Sequence, residues 1–368
     1  MSILDDAIAA VTAAADQDAG IWDVAGQIPA DVLGGLARKG LLCAQVPTEY
    51  GGLGLSSRDN GELTAHTGSL CGSLRSLQTS QGMAAWTVQR LGRAEQREEF
   101  LPKLAAGALA AIAFSEPAAG SDLSGMRTEI TVDGDAIVVD GRKTWVTGAA
   151  YADLIVVFGR YGNGVGIAVV PSGTPGVTVY PIAAPSGCRA AGHSDVRLDK
   201  VRLPLTHLLA ASGAPTTMLV TTALTYGRLS VAWGCLGMLI ACRTAAVQHA
   251  AERVQFGRPL AEHQLVARHI AELTAAEQVA RLVCEHASTA WDEGRPDHAV
   301  TAVFAKHVAA RQATQGSASA VQLLASAGAH DDHPVARAYR DAKLMEIIEG
   351  STEVCQLLLA EHAMAGAR

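Results

Sequence analysis

Aromatic residues are scarce in this chain: phenylalanine, tryptophan and tyrosine together make up 4% of its 368 residues. A core of that composition has to be filled by alanine and branched aliphatics on closely approaching helices. Paired cysteines are missing too. The seven present (Cys43, Cys71, Cys188, Cys235, Cys242, Cys284, Cys355) are dispersed, odd in number and form no C-x-x-C, so they exclude a disulfide framework and read as reduced thiols of a cytoplasmic protein. Basic runs are lacking and the formal charge is -7, which argues against nucleic acid or an anionic membrane as the main partner. No histidine cluster has metal-ligand spacing, so no metal is expected. The start, Met1 to Asp6, carries acids where a secretory signal carries bases, and the most apolar stretch, Leu229 to Cys242, reads as too short for a bilayer.

What is there divides into three regions. Apolar positions recur every three or four residues up to about Gly107, with Gly40, Gly92 and Gly107 placed as helix stops. From Leu109 the period drops to two: Thr128 to Val132, Ala136 to Val139 and Lys143 to Thr147 read as strands joined by Asp133-Gly134 and Asp140-Gly141 turns. After Ala214 the helical period returns, with breaks at Gly257, Gly294 and Gly328 to Pro334. The expectation is an α+β chain: an N-terminal all-α domain (1–108), a middle β-barrel-like domain (109–213) and a C-terminal four-helix bundle domain (214–368), the last also suited to a subunit interface.

Four segments carry chemistry. In Ile347-Ile348-Glu349-Gly350-Ser351 a carboxylate sits at a helix-to-helix joint. Gly350 is the stop of one helix and Ser351 the cap of the next, while the two isoleucines offer apolar walls. Helix-end charge favours the anion and the walls oppose it, which leaves a poorly solvated, reactive carboxylate; the plainer reading is an exposed loop glutamate. Phe114-Ser115-Glu116-Pro117 through Gly120-Ser121-Asp122 is a hydroxyl-rich loop whose N–H groups suit a phosphate or a heteroaromatic edge, or an ordinary turn. Trp145 and Thr147, two apart on a strand, offer an indole and a hydroxyl on one face, where a core tryptophan is the alternative. Glu252-Arg253-x-x-Phe256-Gly257 places a guanidinium near an aromatic ring at a helix end.

In combination and order these motifs resemble the acyl-CoA dehydrogenase family of flavoproteins along essentially the whole chain. Ser115-Glu116-Pro117 through Asp122 is similar to its T-E-P-x-A-G-S-D, Trp145-Val146-Thr147 to its W-I-T, Glu252 to Gly257 to its E-R-x-x-F-G, and Ile348 to Ser351 to its Y-E-G-T. The resemblance implies FAD, with Phe114, Ser115, Gly120, Ser121, Trp145, Thr147, Ser351 and Glu353 around it and Thr147 donating to N5. Arg253, Phe256, Gln264 and Gln322 would reach the cofactor of a neighbouring subunit in a dimer or tetramer. Glu349 would be the base, and its N–H, with an FAD hydroxyl, would bind the thioester carbonyl. Arg75, Thr79, Tyr226, Arg228 and Gly350 would meet substrate. Relatives that keep their base before the arginine matching Arg228 differ here, where that place holds Gly227.

Departures are as informative. The family's Q-x-x-G-G-x-G becomes Gln322 to Gly328 without the paired glycines, tyrosine before the base becomes Ile348, and the acyl-pocket helix runs Leu74-Arg75-Ser76-Leu77-Gln78-Thr79-Ser80-Gln81, polar for a wall that holds a fatty tail. Asn60 to His66, Ser186 to His193 and Ile347 to Ser351 further resemble the branch of actinomycete polyketide pathways that makes hydroxymalonyl or methoxymalonyl extender units. That resemblance implies a 2-hydroxy-3-oxopropionyl group on an acyl carrier protein, oxidised at its C3 aldehyde hydrate, with Arg75 meeting the new carboxylate or else standing as a surface charge. A conventional short-chain acyl-CoA dehydrogenase acting on a CoA thioester and an inactive, binding family member are the alternatives. Electron-transfer flavoprotein and oxygen both remain open as acceptors. Gly162-x-Gly164-x-Gly166 would suit a nicotinamide fold only if a helix followed it.

Overall fold

The computed structural model describes residues 2–365. Six helices come first: α1 (Ile3–Ala15), α2 (Ala19–Ala25), α3 (Ala30–Arg38), α4 (Ser57–Leu70), α5 (Gly72–Leu91) and α6 (Ala94–Ala105). A seven-stranded sheet follows, made of β1 (Ala110–Ala113), β2 (Glu129–Asp133), β3 (Ala136–Val146), β4 (Leu154–Tyr161), β5 (Gly164–Pro171), β6 (Val177–Pro181) and β7 (Ser194–Pro204). Its order is β1-β4-β2-β3-β7-β6, with β5 on β4. Last come α7 (Thr216–Glu252), a small hairpin of β8 (Val254–Gln255) and β9 (Arg258–Pro259), then α8 (Gln264–Asp292), α9 (His298–Leu324), α10 (Pro334–Met345) and α11 (Thr352–Ala365). The helix–sheet–helix order is the α, β, α order expected from the sequence.

Small residues set how the helices pack. On α7, Ala232, Cys235, Leu239, Cys242 and Ala246 are buried in one core with the α9 stripe of Ala302, Ala305, Ala309 and Ala313. Alanine-lined surfaces let the axes approach closely, which is how a chain with so few rings fills its centre. By length and composition α7 is long and apolar enough to cross a bilayer, contrary to the sequence expectation, but 67% of its most apolar window is buried inside the fold. Its apolarity belongs to the core.

Two local readings are corrected. Asp140-Gly141 does not turn the chain: β3 runs through it with a register shift against β7 between Val139 and Gly141. A side chain at Gly141 would strike Thr128 at 2.5 Å, so the glycine marks a bulge in a long strand rather than a hairpin. Trp145 and Thr147 are not presented by a regular pleat either. Trp145 has φ of +54°, and the ladder slips again between Lys143 and Val146. Gly162 to Gly166 joins two antiparallel strands, β4 and β5, so the dinucleotide test fails.

Candidate active site

Helices α5 and α7 form one wall through three matched levels. Arg75 lies against Gly234, where an added Cβ would meet the Arg75 Cδ at 2.5 Å. One turn on, the Thr79 and Ser230 hydroxyls are 2.7 Å apart. At the third level, Gly227 faces Met83 and Glu349: its Cβ would stand 2.5 Å from the Met83 sulfur and 2.6 Å from Glu349 Oε2. Positions 75, 79 and 83 share a face of one helix, and 227, 230 and 234 share a face of the other.

Glu349 reaches that wall from the joint between α10 and α11. Glu349 and Gly350 both have positive φ, +55° and +92°, so the left-handed turn begins at the acid itself and not only at the glycine. Ser351 caps the following helix, its hydroxyl accepting the Val354 N–H at 3.4 Å. Two cations hold the joint. Arg228 Nε donates to the Glu349 carbonyl at 3.1 Å and Lys306 Nζ donates to the Gly350 carbonyl at 2.6 Å. Glu349 Oε2 is buried and has no hydrogen-bond partner among the described residues. Burial pushes its carboxyl up to about 7, against the pull of Arg228, Lys306 and Arg75 in that order. The expected balance therefore falls on the side of desolvation, although Ile347 supplies no wall: it is 55% exposed, since the turn after Met345 swings it outward.

Arg75 is entirely buried, which removes the reading as a surface charge. One of its nitrogens donates to the Thr79 hydroxyl at 3.3 Å, another lies 2.9 Å from the Met345 sulfur, and Nε has no hydrogen-bond partner among the described residues. A guanidinium held this way, in no ion pair among the described residues, calls for an oxygen ligand from outside.

The sheet contributes the opposite side. The Trp145 ring is 52% exposed, a large apolar face left open beside the half-buried Thr147 hydroxyl. Thr147 Oγ1 is 3.1 Å from His193 Nδ1, and the Trp145 and His193 rings are 5.7 Å apart. Helix α5 grips this edge directly, Ser80 Oγ donating to the Thr147 carbonyl at 2.8 Å. Underneath, Lys143 Nζ, fully buried, donates to Glu116 Oε1 at 2.7 Å and to the Phe114 carbonyl at 3.0 Å, while the Glu116 carboxylate takes the Arg127 and Thr128 N–H groups. That pair pins the loop bearing Phe114 and Ser115; Gly120 and Ser121 lie exposed at its far end. An open indole, a half-buried hydroxyl beside it and an exposed small-residue loop fit a flat ring with a diphosphate tail.

The remaining positions are spread. Tyr226 is buried, turned toward Asn60 (3.3 Å) and packed over Gly82, beside a water-sized cavity lined by Gln45, Trp233 and Trp291. Arg253, Gln264 and Gln322 are exposed and Phe256, at the tip of the β8–β9 hairpin, is 95% exposed; none joins the Glu349 cluster within the chain. Glu353 is exposed on the first turn of α11. Sequence reasoning assigned nothing to His193, Lys306 or Asp341. The last two carried a signal: each charge sits on the buried stripe of its helix, Lys306 among Ala302, Ala305 and Ala309, Asp341 between Ala338 and Met345.

Helices before and after a sheet, a buried carboxylate without a hydrogen-bond partner among the described residues on the helical side, and an open indole at the sheet edge suit an oxidoreductase of acyl thioesters. Family models agree in every part: acyl-CoA dehydrogenase N-terminal domain over residues 2–108, middle domain over 111–201 and C-terminal domain over 217–364. The chain belongs to the acyl-CoA dehydrogenase family, whose cofactor is FAD. It is 32% identical to the probable acyl-CoA dehydrogenase YngJ of Bacillus subtilis (strain 168), over 93% of this chain and 92% of that one. Among solved structures it is similar to FkbI "for biosynthesis of methoxymalonyl extender unit of Fk520 polyketide", at 59% identity, TM-score 0.93, 97% of this chain and 99% of the other. Butyryl-CoA dehydrogenase from Megasphaera elsdenii superposes with TM-score 0.94 at 26% identity, covering 99% and 98%. A glutaryl-CoA dehydrogenase from Mycobacterium smegmatis, 25% identical with TM-score 0.90 over 98% and 94%, is known in complex with FADH2.

Proposed function

We propose that this enzyme oxidises the C3 aldehyde of a 2-hydroxy-3-oxopropionyl group, carried on an acyl carrier protein, to the carboxylate of a hydroxymalonyl thioester. The observation that carries this is Arg75: a buried cation with an unpartnered N–H, one helical turn from Thr79 and electrostatically coupled to Glu349. A hydrocarbon acyl chain would leave that charge without a ligand, whereas a nascent carboxylate supplies one. The likeness to FkbI, a protein for biosynthesis of a methoxymalonyl extender unit, points the same way.

In this reading Glu349 Oε2 takes the proton from one hydroxyl of the aldehyde hydrate as the C–O bond shortens to a carbonyl. The C3 hydrogen departs with its electron pair, and accepting a hydride is the chemistry FAD supplies when bound. Ser115, Trp145 and Thr147 hold the ring at the sheet edge, with Phe114, Gly120, Ser121, Ser351 and Glu353 around the rest of the cofactor. The Glu349 N–H receives the thioester carbonyl beside Gly350 and Arg228. Tyr226 sits on the carrier-arm side. Arg75 and Thr79 receive the product carboxylate. Arg253, Phe256, Gln264 and Gln322, all on the surface, contact the cofactor of a neighbouring copy in a dimer or tetramer. Seven unpaired, buried cysteines suit a reducing cytoplasm.

Anaerobic mixing of FAD-loaded enzyme with the synthetic carrier thioester, followed by flavin absorbance, tests this. Rapid bleaching is expected, slower with the CoA thioester. Bleaching by butyryl-CoA and not by the hydroxy-oxo substrate would instead identify a conventional short-chain desaturase. Reoxidation by electron-transfer flavoprotein or by oxygen then identifies the acceptor.

A further inference from the structure

His193 is buried, yet only one of its ring nitrogens is used. Nδ1 meets the Thr147 hydroxyl at 3.1 Å, and Nε2 is enclosed without a hydrogen-bond partner among the described residues. Around the ring lie Trp145 at 5.7 Å, Thr147, the Arg75 guanidinium, whose charge the ring senses, and the Cys188 carbonyl, which accepts the Ala191 N–H at 3.0 Å and draws weakly on the ring's own proton. Burial first, and Arg75 second, push the imidazole down to about 4, against a smaller pull from Cys188, so the ring is neutral and carries one proton. If the Thr147 hydroxyl spends its own proton on the cofactor, that ring proton has to be on Nδ1. Nε2 is then a bare lone pair.

What Nε2 lacks is a donor. A hydroxyl supplies one, whereas a methylene or a carbonyl oxygen does not. We infer that His193 determines specificity in the acyl site, its Nε2 accepting a hydrogen bond from a hydroxyl carried on the acyl chain. This rests on the polar-acyl reading above and adds the residue that would tell a hydroxylated chain from a bare one.

The test uses calorimetric titration of FAD-loaded enzyme with 2,3-dihydroxypropionyl-pantetheine and propionyl-pantetheine, which differ only in hydroxyls. The parent enzyme is expected to prefer the dihydroxy ligand by about tenfold or more, the usual effect of leaving a buried polar group unpaired. His193→Asn places an amide where Nδ1 was and nothing at Nε2. It should bind both ligands alike while the flavin absorption maxima stay where they were. His193→Gln restores a polar atom at the Nε2 position and abandons Thr147; it should keep the preference and shift the flavin maxima. Equal binding of the two ligands by the parent, as a water filling the site would give, overturns the inference, and so does a preference that survives in His193→Asn. A retained dihydroxy preference without any bleaching by the hydroxy-oxo thioester would instead sink the aldehyde oxidation and support hydroxyl recognition.

Discussion

Arg228 and Glu349 are joined through the main chain: the guanidinium Nε donates to the Glu349 carbonyl and leaves the carboxylate free. Lys306 does the same one residue later, at Gly350. The proposed base is therefore fixed at its backbone while its Oε2 stays unpartnered in a buried site.

Replacing the acid separates folding from chemistry. Glu349→Gln should retain FAD and its spectrum but reduce the flavin about 10²–10⁴-fold more slowly in anaerobic stopped flow, the usual span for a lost general base. Since the folded carboxyl is raised above its unfolded value, ionising it destabilises the protein as pH climbs from about 4.5 to about 7. The variant should thus melt higher than the parent at pH 8 and nearly with it at pH 4.

The same shift sets a pH profile. Flavin reduction in the parent should rise through about pH 7 as Glu349 deprotonates. Lys306→Met removes a cation that favours the anion, so the rising limb should move to higher pH, and Lys306→Arg should bring it back. An unmoved limb in Lys306→Met would show that Lys306 does no more than pack.

Gly227→Ala puts a methyl 2.5 Å from the Met83 sulfur and 2.6 Å from Glu349 Oε2. Overpacking of this kind costs about 1–3 kcal/mol, visible as a lowered urea midpoint, and displacing the acid should slow flavin reduction at least about tenfold.

Arg75→Met should act in opposite directions on stability and turnover. Removing a buried charge that makes no ion pair among the described residues should leave thermal stability unchanged or raise it. Reduction by the hydroxy-oxo carrier thioester should fall about a hundredfold, with inhibition by a malonyl-type thioester weakened in parallel.

Ala325→Gly concerns stability alone. Ala325 closes α9 at φ +50° and ψ -129°, a conformation that glycine adopts freely and alanine does not. The substitution should raise the melting midpoint by a few degrees, about 1 kcal/mol.

Much of this could be read before any coordinates. Period changes near Leu109 and Ala214 gave the α, β, α order, and the Glu349 motif pointed to the acid, because helix period, strand alternation and glycine stops are written locally. Asp140-Gly141 misled because a Gly-induced bulge and a hairpin share a dipeptide and differ only in what lies opposite, here Thr128. Arg75 could not be settled for a similar reason: its partners Thr79 and Met345 are 4 and 270 positions away, and only packing reveals that no carboxylate arrives. His193 stayed unassigned because its meaning depends on a nitrogen with no hydrogen-bond partner among the described residues.

Thr79 and Ser80 are neighbours on one rigid rod, the first bonded across to Ser230 and the second to the Thr147 carbonyl. A ligand that tugs on the first must therefore tilt the ledge on which Thr147 stands. Cargo length and ring colour ought then to change together, and a homologue re-engineered for fatter cargo would need retuning at its sheet edge before its wall.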